Sequence, residues 1–135
     1  MIRLFQEDLK SSPFWMIVAC SLVNMTTWKQ AQPIHEELRK KYKGPDGLAV
    51  AGGELEEMIR PLGLWRRRGK SLRLMSTVWN MIEPTTGEDV LDLPGCGSYA
   101  SDSWMIFVEG KLPDKCPIDN YLSAYWRRLK DDKDR

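Results

Sequence analysis

The chain contains few of the residues that bind metals or serve as nucleophiles. Of its 135 residues, one is a histidine and three are cysteines. Cys20, Cys96 and Cys116 lie far apart, and none has a second cysteine or a histidine at metal-ligand spacing, so a disulfide, a zinc site and an iron–sulfur cluster are all poorly supported. His35 lies in the charged segment PIHEELRKKY, where we expect a surface residue of a helix. Triads that depend on histidine or cysteine are therefore largely excluded.

Long hydrophobic runs and alternating strand patterns are also missing. No stretch reaches the roughly 18 apolar residues of a membrane span, and the opening MIRLFQEDLK lacks the charged-then-apolar order of a secretory signal. We therefore expect a soluble, intracellular protein without a membrane partner. A chain of 135 residues fits one domain, covering residues 1–135.

Helical periodicity dominates the pattern that remains, and it predicts an all-α fold. The Gly- and Pro-rich segment 43–53, KGPDGLAVAGG, is predicted to be a flexible loop. The predicted helices before the last third of the chain cover about residues 4–10, 12–24, 28–42, 54–60 and 66–82.

The charges are unevenly distributed although the net charge is only +1. From Met58 to Ile82 there is no acidic residue, and the basic residues of this segment are Arg60, Arg66, Arg67, Arg68, Lys70 and Arg73. Such a stretch is either a face that meets phosphates or an ordinary solvated helix face. Composition alone leaves both interpretations open.

A helix-hairpin-helix pattern covers residues 86–110. A brief helix begins near Thr86, stops at the turn LPGCG, and a new helix runs from Ser98 to about residue 108. Gly95 and Gly97 allow backbone angles and a close approach that side chains would prevent. Because the next helix begins with unpaired N–H groups and the positive end of its dipole, this turn can hold a DNA phosphate without reading sequence.

Asp119 is the candidate carboxylate because of its position at the start of a helix. It follows the irregular stretch 113–117 and stands at the start of the last predicted helix, 119–130. It could serve only as an N-cap. A carboxylate in a cleft could also stabilise the oxocarbenium character that develops when an N-glycosidic bond breaks.

Four segments in order resemble one protein family. They are LFQEDLKSSPFWMIVACSLVNMTT, PLGLWRRRGKSL, LPGCGSYASDSWMIF and CPIDNYLSAYW. Together they resemble the helix-hairpin-helix (HhH-GPD) DNA glycosylase superfamily of endonuclease III and the adenine glycosylase, and most closely the glycosylase domain of methyl-CpG-binding-domain thymine glycosylases. The resemblance implies a compact helical fold with a DNA-binding cleft between two helical lobes.

The resemblance also implies roles for individual residues. Asp119 takes the position of the catalytic carboxylate, and Tyr99 stands where bifunctional members have the lysine that attacks the sugar. Since a phenol cannot form a Schiff base, we expect base removal without efficient lyase activity. Gln6 and Tyr99 match positions that line the pyrimidine pocket, where an amide and an aromatic ring suit an everted base.

The same resemblance implies which residues contact DNA, and this chain departs from the family at two of the matched positions. Met25 replaces an arginine in a loop that fills the gap left by the everted base, and Tyr121 replaces a lysine near the catalytic carboxylate. Met25 and Leu64 are the candidate wedges. The implied DNA-contacting residues are Gly95, Cys96, Gly97 and Ser98 at the hairpin, Met25, Thr26, Leu62, Gly63 and Leu64 in two loops, and Arg66, Arg67 and Lys70 in the basic stretch, where Arg68 is a further candidate.

The resulting expectation is a monofunctional glycosylase of base excision repair or DNA-base processing. It would act as a monomer on duplex DNA carrying uracil, mismatched thymine or a 5-substituted uracil, in a bacterial or virus-infected cytoplasm or in a nucleus. No cofactor is expected, apart from a structural Na⁺ or K⁺ that the hairpin carbonyls could hold. Two alternatives stay open: a phage-type enzyme that transforms a modified thymine on the same scaffold, and a DNA-binding homologue without catalysis.

Overall fold

The structure, a computed structural model, describes residues 4–24 and 26–134. Every regular element in these ranges is a helix, which confirms the predicted all-α fold. The α-helices are α1 (Phe5–Leu9), α2 (Pro13–Leu22), α3 (Trp28–Tyr42), α4 (Pro45–Ala49), α5 (Glu54–Ile59), α6 (Trp65–Ile82), α7 (Gly87–Val90), α8 (Ser98–Phe107) and α9 (Asn120–Asp134), with a 3₁₀ turn at Arg60–Leu62.

Helix α2 lies at the centre of the core. Its sequence PFWMIVACSL is apolar all round, so it is buried on every side. Pro13 stands in the first turn, where its missing N–H costs no hydrogen bond. Helices α3 and α8 both pack against α2, and the hairpin lies next to the end of α2, where Ser21 is close to Gly95.

The segment 43–53 is not the flexible loop that its glycines and proline predict. Pro45 begins helix α4, Leu48 is completely buried, and α4 packs closely on α6. Asn80 Nδ2 donates a hydrogen bond of 2.8 Å to Asp46 Oδ1 and ties the same two helices together. The prediction fails because proline is favoured in the first turn of a helix and one buried leucine anchors the segment.

His35 is buried, so the prediction of a surface residue is wrong. Its Nε2–H donates to the backbone oxygen of Trp15 at 2.8 Å, and burial lowers the pKa of the imidazole. The stripe that packs against the core from α3 consists of Ala31, His35, Leu38 and Tyr42. His35 therefore belongs to the apolar face of an amphipathic helix, in spite of its charged sequence neighbours.

Helix α9 is joined to the other helices by a small second core. Leu122 packs with Leu4 and Ile106, and Trp126 Nε1 donates to the backbone oxygen of Pro113 at 2.7 Å. The observed helix begins one residue after Asp119 and extends beyond the predicted end at residue 130. Within the described ranges, no helix has the length and apolar character needed to cross a bilayer.

Candidate active site

A cavity of about 830 Å³ opens where three parts of the fold meet. Helix α1 and the α2–α3 loop form one wall, the hairpin turn forms the second, and the segment leading into α9 forms the third. Gln6, Tyr99 and Asp119 all line this cavity. The fold thus brings together three predicted site residues that are far apart in sequence.

Gln6 is held in one orientation by a short hydrogen-bond chain. Its Nε2 donates to Tyr99 Oη at 2.8 Å and to Ser103 Oγ at 3.2 Å. Ser103 Oγ uses its own proton to donate to the backbone oxygen of Tyr99 at 2.8 Å, so it can only accept from the amide. This assigns the amide nitrogen, not the oxygen, to the side facing Ser103.

The hydrogen bonds described so far use only the amide nitrogen of Gln6 and not its oxygen. Gln6 is only 1% exposed, and its Oε1 has no hydrogen-bond partner among the described residues. An acceptor buried in this way is costly unless something donates to it. Because Gln6 lines the cavity, this unsatisfied acceptor lies in or directly behind the cavity wall.

Tyr99 presents the complementary donor. Its hydroxyl oxygen accepts from Gln6, which leaves the phenolic proton available for a bound molecule. Burial, followed by the nearby Cys20 and Asp119, raises the pKa of Tyr99 above its ordinary value. The phenol is therefore neutral and acts as a hydrogen-bond donor across the physiological pH range.

Asp119 caps the last helix and also lines the cavity. Its Oδ2 accepts a hydrogen bond of 2.9 Å from the N–H of Leu122, three residues into the last helix, which is N-cap geometry. The same half-buried residue lines the cavity beside Gln6 and Tyr99. Because a carboxylate has about four lone-pair sites, one capping bond leaves it able to orient a water molecule.

The two hairpin glycines differ in what they require. Gly95 has φ of 80°, and a Cβ there would lie 2.5 Å from Ser71 Oγ, so it needs glycine. Gly97 has φ of −123°, and no heavy atom of the described chain lies within 4 Å of a Cβ built there. The expectation of a special backbone angle is correct for Gly95 and wrong for Gly97, where only the absence of a side chain toward the cavity is relevant.

The residues beside the two glycines also have different surroundings. Cys96 Sγ points inward and lies 3.8 Å from Met75 Sδ, so only its backbone can reach DNA. Ser98 is exposed and begins α8 after an N-cap, Gly97, that offers no side chain to the first turn. The start of α8 is therefore available to an anion.

The two loops that are expected to fill the gap left by an everted base differ in how exposed their residues are. Leu64 is 55% exposed with φ of 48°, next to Gly63 with φ of 79°. Leu62 is buried in the main core, which removes it from the candidate DNA contacts. Thr26 donates to the backbone oxygen of Leu22 at 2.5 Å, and Met25 lies outside the described residues.

The basic stretch divides into exposed residues and one that the fold uses. Arg66, Arg67 and Lys70 are exposed, so a phosphate can reach them. Arg68 instead donates to the backbone oxygens of Leu22, at 2.8 Å, and Asn24. Its prediction as a phosphate contact is wrong, because its guanidinium holds the end of α2.

Sequence reasoning missed three residues in or behind the cavity wall. Phe5 and Trp28 line the cavity with aromatic rings, and Ser103 lies behind the wall, where it fixes the amide of Gln6. One signal was present in the sequence, because Ser103 is four residues after Tyr99 and the two therefore share a helix face.

Similarity to known proteins covers most of this chain. A Methyl-CpG-binding domain protein 4-like protein of Arabidopsis thaliana is 32% identical over 129 residues, which cover 95% of this chain and 28% of that protein. Endonuclease III of Bacillus subtilis (strain 168) is 34% identical over 130 residues, covering 91% of this chain and 58% of the enzyme. No family model matches the chain.

The fold is also shared with a solved structure. The structure of a thermostable thymine-DNA glycosylase superimposes with a TM-score of 0.69 at 25% identity, over 74% of this chain and 48% of that one. The chain spans less than two thirds of the length of each of these three proteins. Because sequence matches and helical fold agree, this chain belongs to the helix-hairpin-helix DNA glycosylase superfamily.

Proposed function

We propose that this chain is a monofunctional DNA glycosylase that removes a uracil-type base from duplex DNA. The observation that carries the proposal is that Gln6, Tyr99 and Asp119 line one cavity, and that the buried Oε1 of Gln6 has no partner among the described residues. The names of the similar proteins, which include a thymine-DNA glycosylase, support DNA as the substrate.

The polar groups of the cavity match the imide edge of a pyrimidine. Gln6 Oε1 can accept from the N3–H of uracil or thymine, and the neutral phenol of Tyr99 can donate to an adjacent carbonyl oxygen of the base. Cytosine has an acceptor at N3 where uracil and thymine have a donor, so it could meet Gln6 Oε1 only through its N4 amino group and in a different pose. We therefore assign uracil, mismatched thymine and 5-substituted uracils as the substrate class.

Asp119 supplies the charge that the reaction needs. As the bond between N1 and C1′ breaks, its electron pair leaves with the base and the sugar gains oxocarbenium character, which a nearby carboxylate stabilises. A water molecule held by Asp119 then forms the new bond to C1′, and its proton passes to the carboxylate and finally to the departing base. The products are the free base and an abasic site.

Tyr99 explains why strand cleavage is not expected. A lyase step needs an amine that forms a Schiff base with the opened sugar, and the phenol at this position is already engaged with Gln6. The abasic product should therefore remain intact until alkali cleaves it.

DNA is held by the hairpin and the exposed basic residues. The start of α8 offers backbone N–H groups to one phosphate, and the side chains of Arg66, Arg67 and Lys70 offer positive charge to others. We propose that the protein binds duplex DNA as a monomer inside the cell, with Leu64 as the wedge that occupies the gap left by the everted base.

The hairpin turn could also hold an alkali ion. Neutral carbonyl oxygens are suitable ligands for K⁺, and the residues of the 91–97 turn present such oxygens, although that of Leu93 also accepts the N–H of Cys96. A higher melting temperature in KCl than in tetramethylammonium chloride of equal ionic strength would support this site. Equal melting temperatures would exclude a structural role for the ion.

The test is a panel of labelled duplexes that carry uracil, a thymine mismatch or 5-hydroxymethyluracil. We expect nicks that appear only after hot alkali and that disappear in Asp119→Asn, while the exposed Asp114→Asn serves as the matched control. Failure to release any pyrimidine would refute the proposal, and nicks without alkali would refute the monofunctional assignment. Binding without turnover would indicate a non-catalytic homologue, and a changed base still attached to DNA would indicate a base-transforming enzyme.

A further inference from the structure

A column of three aromatic rings ends at the cavity. Phe5 and Trp28 are stacked, with ring centroids 4.6 Å apart and an interplanar angle of 21°. Trp28 is in turn met by the ring of His35 at 5.4 Å and 65°. Both Phe5 and Trp28 are half-buried and line the cavity.

Phe5 is the end of this column that can receive a ligand. One of its faces lies against Trp28, and no second aromatic ring contacts it among the described residues. It also directly precedes Gln6 on α1, and both residues line the cavity. A group bound in the cavity can therefore contact the ring of Phe5 as well as Gln6.

We propose that Phe5 is the stacking surface of the base pocket, with Trp28 as the positioning residue behind it. The inference rests on the function proposed above and adds how the base is held: Gln6 and Tyr99 read its edge while Phe5 covers one of its faces. Stacking tolerates different bases because every base has a π-face. Phe5 therefore contributes affinity for an everted base, whereas the choice between uracil and cytosine stays with the polar groups.

The rings behind Phe5 hold its side chain in place, and His35 also contacts the ring of Trp15. A single half-exposed phenylalanine could rotate away from a ligand, but close packing of rings restricts the side chain behind it. His35 is anchored by its hydrogen bond to the backbone of Trp15. The column thus connects the outer ring to the main core, and the stacking surface is formed before DNA binds.

The test compares two duplexes of identical sequence. One carries 2′-fluoroarabino-uridine, whose glycosidic bond resists hydrolysis, and the other carries a tetrahydrofuran abasic analogue. Phe5→Leu should weaken binding to the uridine duplex by about fivefold or more, the range expected for loss of base–aromatic stacking, and leave binding to the abasic duplex unchanged. Phe5→Tyr keeps the ring and should bind both duplexes like the wild type.

Trp28 provides the second measurement. Trp28→Ala should reduce the preference for the uridine duplex in the same direction, and Trp28→Phe should restore it. An equal loss on both duplexes, or an unchanged preference in Phe5→Leu, would overturn the stacking role. Failure of the wild type to release uracil from a hydrolysable duplex of the same sequence would instead refute the proposed function itself, so the two failures can be distinguished.

Discussion

Replacing each hairpin glycine with alanine should affect different properties of the protein. At Gly97, φ of −123° suits any residue, and no described atom lies within 4 Å of the new methyl group. Alanine there should raise stability by about 0.4–1 kcal/mol because it restricts the unfolded chain. At Gly95, φ of 80° and the approach to Ser71 Oγ reverse the sign, and left-handed backbone alone costs alanine about 1–2 kcal/mol.

DNA binding should respond in the opposite way at Gly97. If a phosphate meets the backbone at the start of α8, the methyl group of Gly97→Ala stands where the phosphate must approach. Loss of one hydrogen bond to a charged group costs about 1.5–3 kcal/mol, so affinity should fall by about 10- to 150-fold.

Two measurements at one salt concentration check both halves of this prediction. Thermal unfolding should rank the variants Gly97→Ala, wild type and Gly95→Ala in decreasing stability, and fluorescence anisotropy on an abasic-analogue duplex should show the weakened binding of Gly97→Ala. A Gly97→Ala protein that is stabilised and still binds DNA with wild-type affinity would refute the phosphate grip at this turn.

Three further predictions follow from the same structure. Asp119→Asn should keep the N-cap and unfold near the wild-type temperature, while single-turnover excision falls by about 10²- to 10⁴-fold. Asp119→Ala should lose the same activity and, in addition, about 0.5–2 kcal/mol of stability. Equal melting temperatures of the two variants would contradict the capping bond. Burial lowers the pKa of His35, so as pH falls below about 6.5 the imidazole takes up a proton in the unfolded chain before it does so in the folded chain. The free energy of unfolding, measured in urea, should therefore decrease toward acid pH. The decrease should be smaller in His35→Gln. Iodoacetamide at pH 8 should modify the exposed Cys116 before the buried Cys20, whose thiol pKa is raised by burial to about 12; intact-protein mass spectrometry followed by peptide mapping gives the order.

Local sequence signals were sufficient for most helix positions. Ser12-Pro13 marks the start of α2, and the side chains of Thr86 and Asp89 form a reciprocal capping box at the start of α7. The turn after α7 was visible because Pro94 and Gly95 cannot continue a helix. Each of these features depends on residues within one or two turns of one another, so the pattern alone predicts them.

The predictions that failed concern residues whose structure or exposure is determined by tertiary contacts. Leu48 turns a Gly- and Pro-rich segment into a helix by packing into the core, and His35 is buried because its position falls on the inner face of α3. Arg68 looks like its exposed neighbours in the sequence, yet two backbone oxygens near the end of α2 bind it. Charge and composition do not reveal which basic residue the fold uses.

The residues of the proposed base pocket could be named from the sequence only through the family resemblance, and the hydrogen bonds between them could not be predicted at all. Gln6 and Tyr99 are 93 positions apart, a separation that no local pattern connects. The orientation of the amide depends on Ser103, which donates to the backbone and so must accept from Gln6. Family resemblance could name the amide and the phenol, but only the structure shows which atom of the amide is left for a base.

The capping bond and the proposed catalytic role of Asp119 support each other. A carboxylate on an irregular segment would be free to rotate, whereas the bond from Leu122 N–H to Oδ2 fixes the side chain at the start of α9. Leu122 is itself completely buried in the small core with Leu4 and Ile106, so the donor of that bond is held by packing. Since Leu4 also lines the cavity and lies next to the wall of Phe5 and Gln6, the same small core that attaches α9 sets the position of the carboxylate relative to the base pocket.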